Sequence, residues 1–474
     1  MAVFDKYFIG GKWVDASARP RQTLLNPATA TPYGEVALGT AEDVDAAVQT
    51  ARTAFSRFSE TTVEERRSLL RRVLGIYERR LAEFAEAITT EMGAPKTLAY
   101  EAQAAAGADH LRATIEALEN FEIERSATAN VRLRREAVGV CALITPWNWP
   151  MNQIAGKVAP AIAAGCTMVL KPSELTPMSA VLFAEVLEEA GVPTGVFNLV
   201  HGDGRSVGAA MASHPLVDMV SFTGSTAAGI QVAINAAPTV KRVTQELGGK
   251  SPNILLRDTD FSKAVRQAVE SCMENTGQSC NAPTRLIVPA ERHDEIAERC
   301  VEIAKCLRIG DPRDSKTDIG PIVSRAHLER VRNYIEIGRQ EGAVLVTGGA
   351  EPLEELGAGY FVKPTVFAHV RPEMTIAREE IFGPVLSIIS YSDEDEVIRI
   401  ANDTPYGLAA YVSSGDEERA MRVARQLRAG QVQINGATPP ADAPFGGYRQ
   451  SGNGREGGIF GIEDFTEMKA VALP

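Results

Sequence analysis

Two side chains near the middle of the chain can do covalent chemistry together. One is Cys280, in Gly277-Gln278-Ser279-Cys280, and the other is Glu246, in Gln245-Glu246-Leu247-Gly248-Gly249-Lys250. A thiolate attacks an electrophilic carbon and becomes a covalent carrier, and a suitably placed carboxylate takes a proton from the water that later releases it. Taken singly, a cysteine is more often a small buried hydrophobe and a glutamate a solvated charge. The setting shifts the balance: Gly248 and Gly249 let backbone approach closely after the glutamate, while Gly277 and Ser279 leave the thiol sterically open.

The elements that must position this pair follow from periodicity. Thr40 and Asp43 make a capping-box pattern ahead of Val44, Ala47, Val48, Ala51 and Phe55, and Thr62 with Glu65 repeats it ahead of Leu69, Leu70, Val73 and Ile76, predicting amphipathic helices. Arg66, Arg67, Arg71, Arg72, Arg79 and Arg80 are expected on the exposed face of the second helix. Val131 to Glu136 alternates as a half-exposed strand does. From Val138 the texture changes, and strands at Val138–Ile144, Val196–Val200 and Val217–Phe222 alternate with helices. A second series follows Ser251, with strands at Ile254–Leu256, Arg285–Val288 and Val385–Ile389. This rhythm predicts an α/β protein with doubly wound, mainly parallel sheets whose ligand lies at the carboxyl ends of the strands. The tail, Phe465 to Leu473, is expected to form one more strand against Val131–Glu136, within the chain or across a subunit interface.

A chain of 474 residues is too long for one ordinary core and suggests about two to four compact units. With 45% apolar and 23% charged residues it reads as a soluble globular protein, and a formal charge of −12 disfavours nucleic acid and anionic membrane as partners. Met1 to Gly10 lacks the apolar run of a secretory signal, and Val158 to Leu170 is too short to span a bilayer, so a cytoplasmic location is expected. The six cysteines include no C-x-x-C pair and no neighbouring histidines at zinc-ligand spacing, so no metal is expected.

Two glycine-bearing turns compete for a phosphate ligand. Gly202-Asp203-Gly204-Arg205-Ser206-Val207-Gly208 approximates a dinucleotide fingerprint, but its last glycine falls one residue late. Thr223-Gly224-Ser225 is better placed, because a strand ends and a helix begins there, offering unpaired N–H groups to a pyrophosphate.

Together with Pro146-Trp147-Asn148-Trp149-Pro150, Phe222-Thr223-Gly224-Ser225, Glu380-Ile381-Phe382-Gly383-Pro384 and Pro444-Phe445-Gly446-Gly447, the central stretch resembles the NAD(P)-dependent aldehyde dehydrogenase superfamily nearly end to end. The resemblance implies Cys280 as nucleophile, Glu246 as general base, Asn148 as the oxyanion amide and Lys157 as a tuning residue nearby. For the cofactor it implies Trp147, Gly204, Gly224 and Ser225 around the dinucleotide, Lys171 and Glu174 at the adenosine ribose, Glu380 at the nicotinamide ribose and Phe382 at the nicotinamide ring. A carboxylate at Glu174 favours NAD, with NADP the less favoured alternative.

The implied organisation is a dinucleotide-binding domain (1–120 and 138–248), a catalytic domain (249–461) and a small β oligomerisation flap (121–137 and 462–474), assembled as a homodimer or homotetramer. The implied reaction is oxidation of an aldehyde to a carboxylic acid through a Cys280 thioester that water hydrolyses. The alternatives are a thiol-dependent esterase or a catalytically inactive binding or structural relative. Several family members carry large apolar residues at the positions of Asn152, Gln153 and Gly156, so a wider, partly polar pocket is expected here. The residues after Gln278 resemble a microbial branch acting on long oxo-acids and aromatic semialdehydes.

Overall fold

The computed structural model describes residues 1–474. Its first large sheet has eight strands in the order Gly452–Asn453, Arg242–Glu246, Met219–Thr223, Val140–Ile144, Thr167–Lys171, Phe197–Leu199, Lys6–Ile9, Lys12–Asp15. The five strands from Arg242–Glu246 to Phe197–Leu199 are mutually parallel, and the flanking strands are joined to the sheet by antiparallel pairings. Val140–Ile144, Thr167–Lys171 and Met219–Thr223 are buried at every residue, as a sheet covered on both faces requires.

The second sheet has seven strands in the order Val344–Thr347, Thr365–Ala368, Val385–Tyr391, Arg285–Pro289, Pro252–Leu255, Ala409–Ser413, Gln431–Ile434. All its pairings are parallel except that of Val344–Thr347. Both sheets match the doubly wound, mainly parallel α/β architecture expected from the strand and helix rhythm.

The tail strand Thr466–Ala472 pairs antiparallel with Val131–Ala137 of the same chain, and Glu124–Thr128 completes a three-stranded sheet. A further small sheet joins Ala2–Phe4, Thr31–Ala37 and Arg21–Asn26. One segment crosses the division drawn at Gly248: Gly452–Asn453 adds an edge strand to the first sheet, beside Arg242–Glu246.

Both capping boxes form. The Asp43 carboxylate accepts from the Thr40 N–H at 2.9 Å, and Glu65 accepts from the Thr62 N–H at 2.7 Å while Thr62 Oγ1 accepts from the Glu65 N–H at 3.2 Å. The arginine cluster needs one correction. Arg66 is only 4% exposed and packs on Gly165, because the helix Val63–Arg79 turns that side toward the end of Pro150–Ala164. No helix is long and apolar enough to cross a membrane.

Candidate active site

The strand Arg242–Glu246 delivers Glu246 at its carboxyl end, where the chain leaves the first sheet through Leu247-Gly248-Gly249 for the second. Its carboxylate is buried, and neither oxygen has a hydrogen-bond partner. Burial pushes the Glu246 carboxyl well above the usual carboxylate range, the Glu456 charge adds to the rise, and Lys157 and Arg455 oppose it.

The thiol comes from the other half. The helix Phe261–Met273 ends in a tight turn in which Asn275, Thr276 and Gly277 all have positive φ, at 52, 58 and 69°. Left-handed backbone at two non-glycine residues costs free energy. Asn275 offsets that cost with its side chain, which donates to the Asn148 carbonyl at 3.0 Å and the Gln278 carbonyl at 3.2 Å and accepts from Gln103 Nε2 at 2.8 Å. Gln278 donates to the Asn275 carbonyl at 3.1 Å and accepts from the Val323 N–H at 2.9 Å, and Trp149 Nε1 donates to Ser279 Oγ at 2.8 Å. The loop is thus clamped against the Trp147-Asn148-Trp149 turn. At its end Cys280 is half-buried, and burial together with the Glu246 and Glu380 charges pushes its thiol up.

Asn148 is 3% exposed, and its amide donates to the Gln278 carbonyl at 3.1 Å, which fixes the plane of the amide beside the thiol loop. Around one cleft of about 230 Å³ the fold gathers Trp147, Asn148, Gln153, Gly224, Ser225, Glu246, Cys280, Glu380 and Phe382. Eight of these come from the residues singled out for catalysis or cofactor binding, and Gln153 is the pocket-wall residue. Thr223, from the strand-to-helix turn that the sequence marked, lines it too, as do His327 and Arg330, which the sequence alone did not mark.

Glu380 is seated by glycine. A Cβ on Gly248 would overlap its carboxylate, and the Gly249 N–H donates to Glu380 Oε1 at 3.1 Å. Burial pushes Glu380 up to about 7, against that hydrogen bond. Phe382 has φ of +62°, and its carbonyl accepts from His327 Nε2 at 2.7 Å. The Trp147, His327 and Phe382 rings meet edge to face, with centroids 5.5 to 5.9 Å apart.

The remaining predicted residues lie outside this cleft. Lys157 sits behind Glu246, 1% exposed and paired with Glu456, in a small cavity that Gly156, Glu246 and Asp464 also line. Glu456 was missed; the available signal was a lysine in an otherwise apolar helical run, Ile154 to Ala159, which demands a buried counter-charge. Gly156 faces His110 and Glu456 in that rear cavity, so it does not widen the main cleft as the sequence suggested.

Lys171 is buried and donates to the Pro172 and Gly202 carbonyls, both at 2.8 Å, with Glu174 3.5 Å away. At Gly204 the loop N–H groups are already used: the Asp203 carboxylate accepts from Arg205 and Ser206 at 2.8 and 2.7 Å. That occupation disfavours the Gly202–Gly208 turn as a phosphate cradle. Ser225 caps the helix Thr226–Ala236 by accepting from the Ala228 N–H at 3.3 Å, which leaves the first N–H groups of that helix toward the cleft.

His293, Asp294 and His369 also bring ligand atoms within 4.8 Å of one another. Both ring nitrogens of His293 are engaged there, by Asp294 at 2.8 Å and by the His369 N–H at 3.1 Å.

Residues 13–471 match the model of the aldehyde dehydrogenase family. A 3-succinoylsemialdehyde-pyridine dehydrogenase from a Pseudomonas species is 53% identical over 472 residues, covering 99% of both chains. Among solved structures, a variant of aldehyde dehydrogenase C from Pseudomonas syringae, in complex with NAD+ and octanal, superposes with a TM-score of 0.97 at 49% identity, covering 99% of this chain and 96% of that one. The Mycobacterium tuberculosis aldehyde dehydrogenase complexed with NAD+ gives 0.97 at 40% identity, covering 100% and 99%. This chain belongs to the aldehyde dehydrogenase family.

Proposed function

We propose that the chain oxidises an aldehyde to its carboxylic acid with NAD, and that the acyl group leaves by hydrolysis and not by transfer to coenzyme A. The observation that carries the hydrolytic reading is Glu246: a buried carboxyl with two unpartnered oxygens lining the same cleft as the Cys280 thiol. Such a group needs a small polar partner, and a water is the one that deacylation requires.

The cofactor fits the residues present. The helix N-terminus at Gly224-Ser225, the unpartnered Thr223 hydroxyl, the buried Lys171 amine, the glycine-seated Glu380 and the Trp147–His327–Phe382 rings offer donors and apolar faces for phosphate, ribose and a flat heterocycle. Bound NAD supplies the hydride acceptor.

The protein's own residues do the rest. The Cys280 thiol gives its proton to solvent water in the cleft, its sulfur adds to the aldehyde carbon, and the carbonyl π pair moves to the oxygen, which takes negative charge. The free N–H of the Asn148 amide and the Cys280 backbone N–H stabilise that charge, an amide donor contributing about 3–4 kcal/mol. Once the carbon has been oxidised to the thioester, Glu246 takes a proton from water, which adds to the acyl carbon and expels the Cys280 sulfur. Lys157 and Glu456 hold fixed opposite charges behind Glu246 and set how readily it ionises.

The sheet formed by Thr466–Ala472, Val131–Ala137 and Glu124–Thr128 leaves both edges open, with Met468, Val471 and Leu473 exposed, which supports a homodimer or homotetramer. The division into dinucleotide-binding (1–120, 138–248), catalytic (249–461) and flap (121–137, 462–474) parts is proposed from the separate sheets they carry, with Gly452–Asn453 of the catalytic part lending an edge strand to the first sheet.

The test is turnover of an aldehyde panel with NAD, with and without coenzyme A. Reduced nicotinamide and free acid in equal amounts, unaffected by coenzyme A, are expected. An acyl-coenzyme A product overturns the hydrolytic reading, and ester hydrolysis without any NAD reduction overturns the dehydrogenase.

A further inference from the structure

Three side chains bring unpartnered polar atoms to the cleft: Glu246, Thr223 and Gln153. The mechanism uses Glu246, and Thr223 stands at the helix N-terminus on the cofactor side. Gln153 remains. It is 4% exposed, lines the cleft with Asn148 and Cys280, and its Oε1 has no hydrogen-bond partner. Exchanging the two ends of the amide would leave an N–H in the same position, so the buried end is unpartnered on either assignment. The equally buried amides of Gln278 and Asn275 are tied into the thiol loop by several hydrogen bonds. An unpaired buried amide is costly and persists where something else pairs with it.

We infer that Gln153 is a specificity-determining residue, and that the preferred substrates are aldehydes carrying a second, uncharged hydrogen-bonding group, such as a ketone or hydroxyl, a few atoms from the reacting carbon. This rests on the aldehyde-oxidising reading of the cleft. The nearness follows from position: Gln153 lies in the first turn of Pro150–Ala164, its N–H donating to the Trp149 carbonyl at 3.0 Å, immediately after the oxyanion amide Asn148. The neutrality follows from the charges. The cleft's one cation, Arg330, donates to the Glu380 carbonyl at 2.9 Å at the cofactor end, and Lys157 is paired with Glu456, which leaves no unpaired cation at the substrate end to receive an anionic tail. A site built to pair a substrate polar group discriminates strongly against the analogue lacking it.

The experiment compares three aldehydes of equal heavy-atom count: levulinaldehyde (a neutral ketone), hexanal (an alkyl chain) and succinate semialdehyde (an anion). The kcat/KM of each is measured with NAD for the wild type, Gln153→Met and Gln153→Leu. In the wild type levulinaldehyde is expected to exceed hexanal by at least about tenfold, with succinate semialdehyde poorest. In Gln153→Met that preference collapses while hexanal oxidation is retained or raised, and the retained hexanal turnover reports a folded enzyme. An unmoved levulinaldehyde-to-hexanal ratio in a variant that still oxidises hexanal overturns the assignment of Gln153. Succinate semialdehyde as the best substrate overturns the neutral class. Should neither variant fold, the three wild-type values decide alone. Absence of NAD reduction with every aldehyde overturns the dehydrogenase reading itself, and this inference with it.

Discussion

Lys157 and Glu456 are distant in sequence but paired behind Glu246, with side chains 1% and 16% exposed. Replacing either alone leaves its partner uncompensated, at a typical cost of about 3–5 kcal/mol for a buried pair. The two costs should differ. Glu456 can turn toward solvent when Lys157→Met removes its partner, whereas Glu456→Leu strands an ammonium that has almost no exposure. Glu456→Leu is therefore expected to be the more destabilising, and the double variant to recover most of the loss, because an apolar pair of similar volume often replaces a buried ion pair without penalty.

The effects on Glu246 have opposite signs. The Glu456 charge raises the Glu246 carboxyl and Lys157 lowers it, with Arg455 acting as Lys157 does and Asp464 as Glu456 does. Glu456→Leu should then move the acidic limb of the kcat profile, which reports the deacylation step, to lower pH, and Lys157→Met should move it to higher pH. The assay is steady-state aldehyde oxidation across pH, alongside denaturant midpoints for the four proteins. Limbs that move in the same direction would refute the electrostatic reasoning, and so would a double variant less stable than both single ones.

Three other predictions concern the cofactor. Gly248→Ala should displace Glu380 and break its bond from the Gly249 N–H, raising the KM for NAD about ten- to a hundredfold with little change in the KM for aldehyde. Because Glu380 is pushed up to about 7, the wild-type affinity for NAD should strengthen as pH rises through that value and the carboxylate forms; an affinity flat from about pH 6 to 8 contradicts its role. Glu174→Gln should raise the use of NADP relative to NAD by removing repulsion toward a phosphate, and an unchanged cofactor ratio would show that Glu174 does not read the ribose.

The sequence made the reacting residues legible because each sits in a short motif whose glycines and prolines mark a turn. It was silent where a role depends on distant partners. Glu456 becomes meaningful only when Lys157 reaches it, and His327 only when its ring nitrogen finds the Phe382 carbonyl. The strand Arg242–Glu246 was not marked either, since Arg242 to Gln245 are half-buried and mostly polar and lack the apolar run of the neighbouring strands. Asp203 disguised its turn as a fingerprint while filling the loop donors itself. Arg66 looked solvated because periodicity places a residue on a helix face without saying what covers that face.

In the proposed turnover Cys280 carries the acyl group and Glu246 releases it. Rapid mixing of Glu246→Gln with NAD and aldehyde, followed by intact-mass measurement, tests this most directly. The expected result is a burst of reduced nicotinamide near one per active site, then a steady rate lower by about 100- to 10,000-fold, with the acyl mass on Cys280 at the stall. Loss of the burst in a variant that still folds and binds NAD would show that Glu246 activates the thiol, and the division of labour would be wrong.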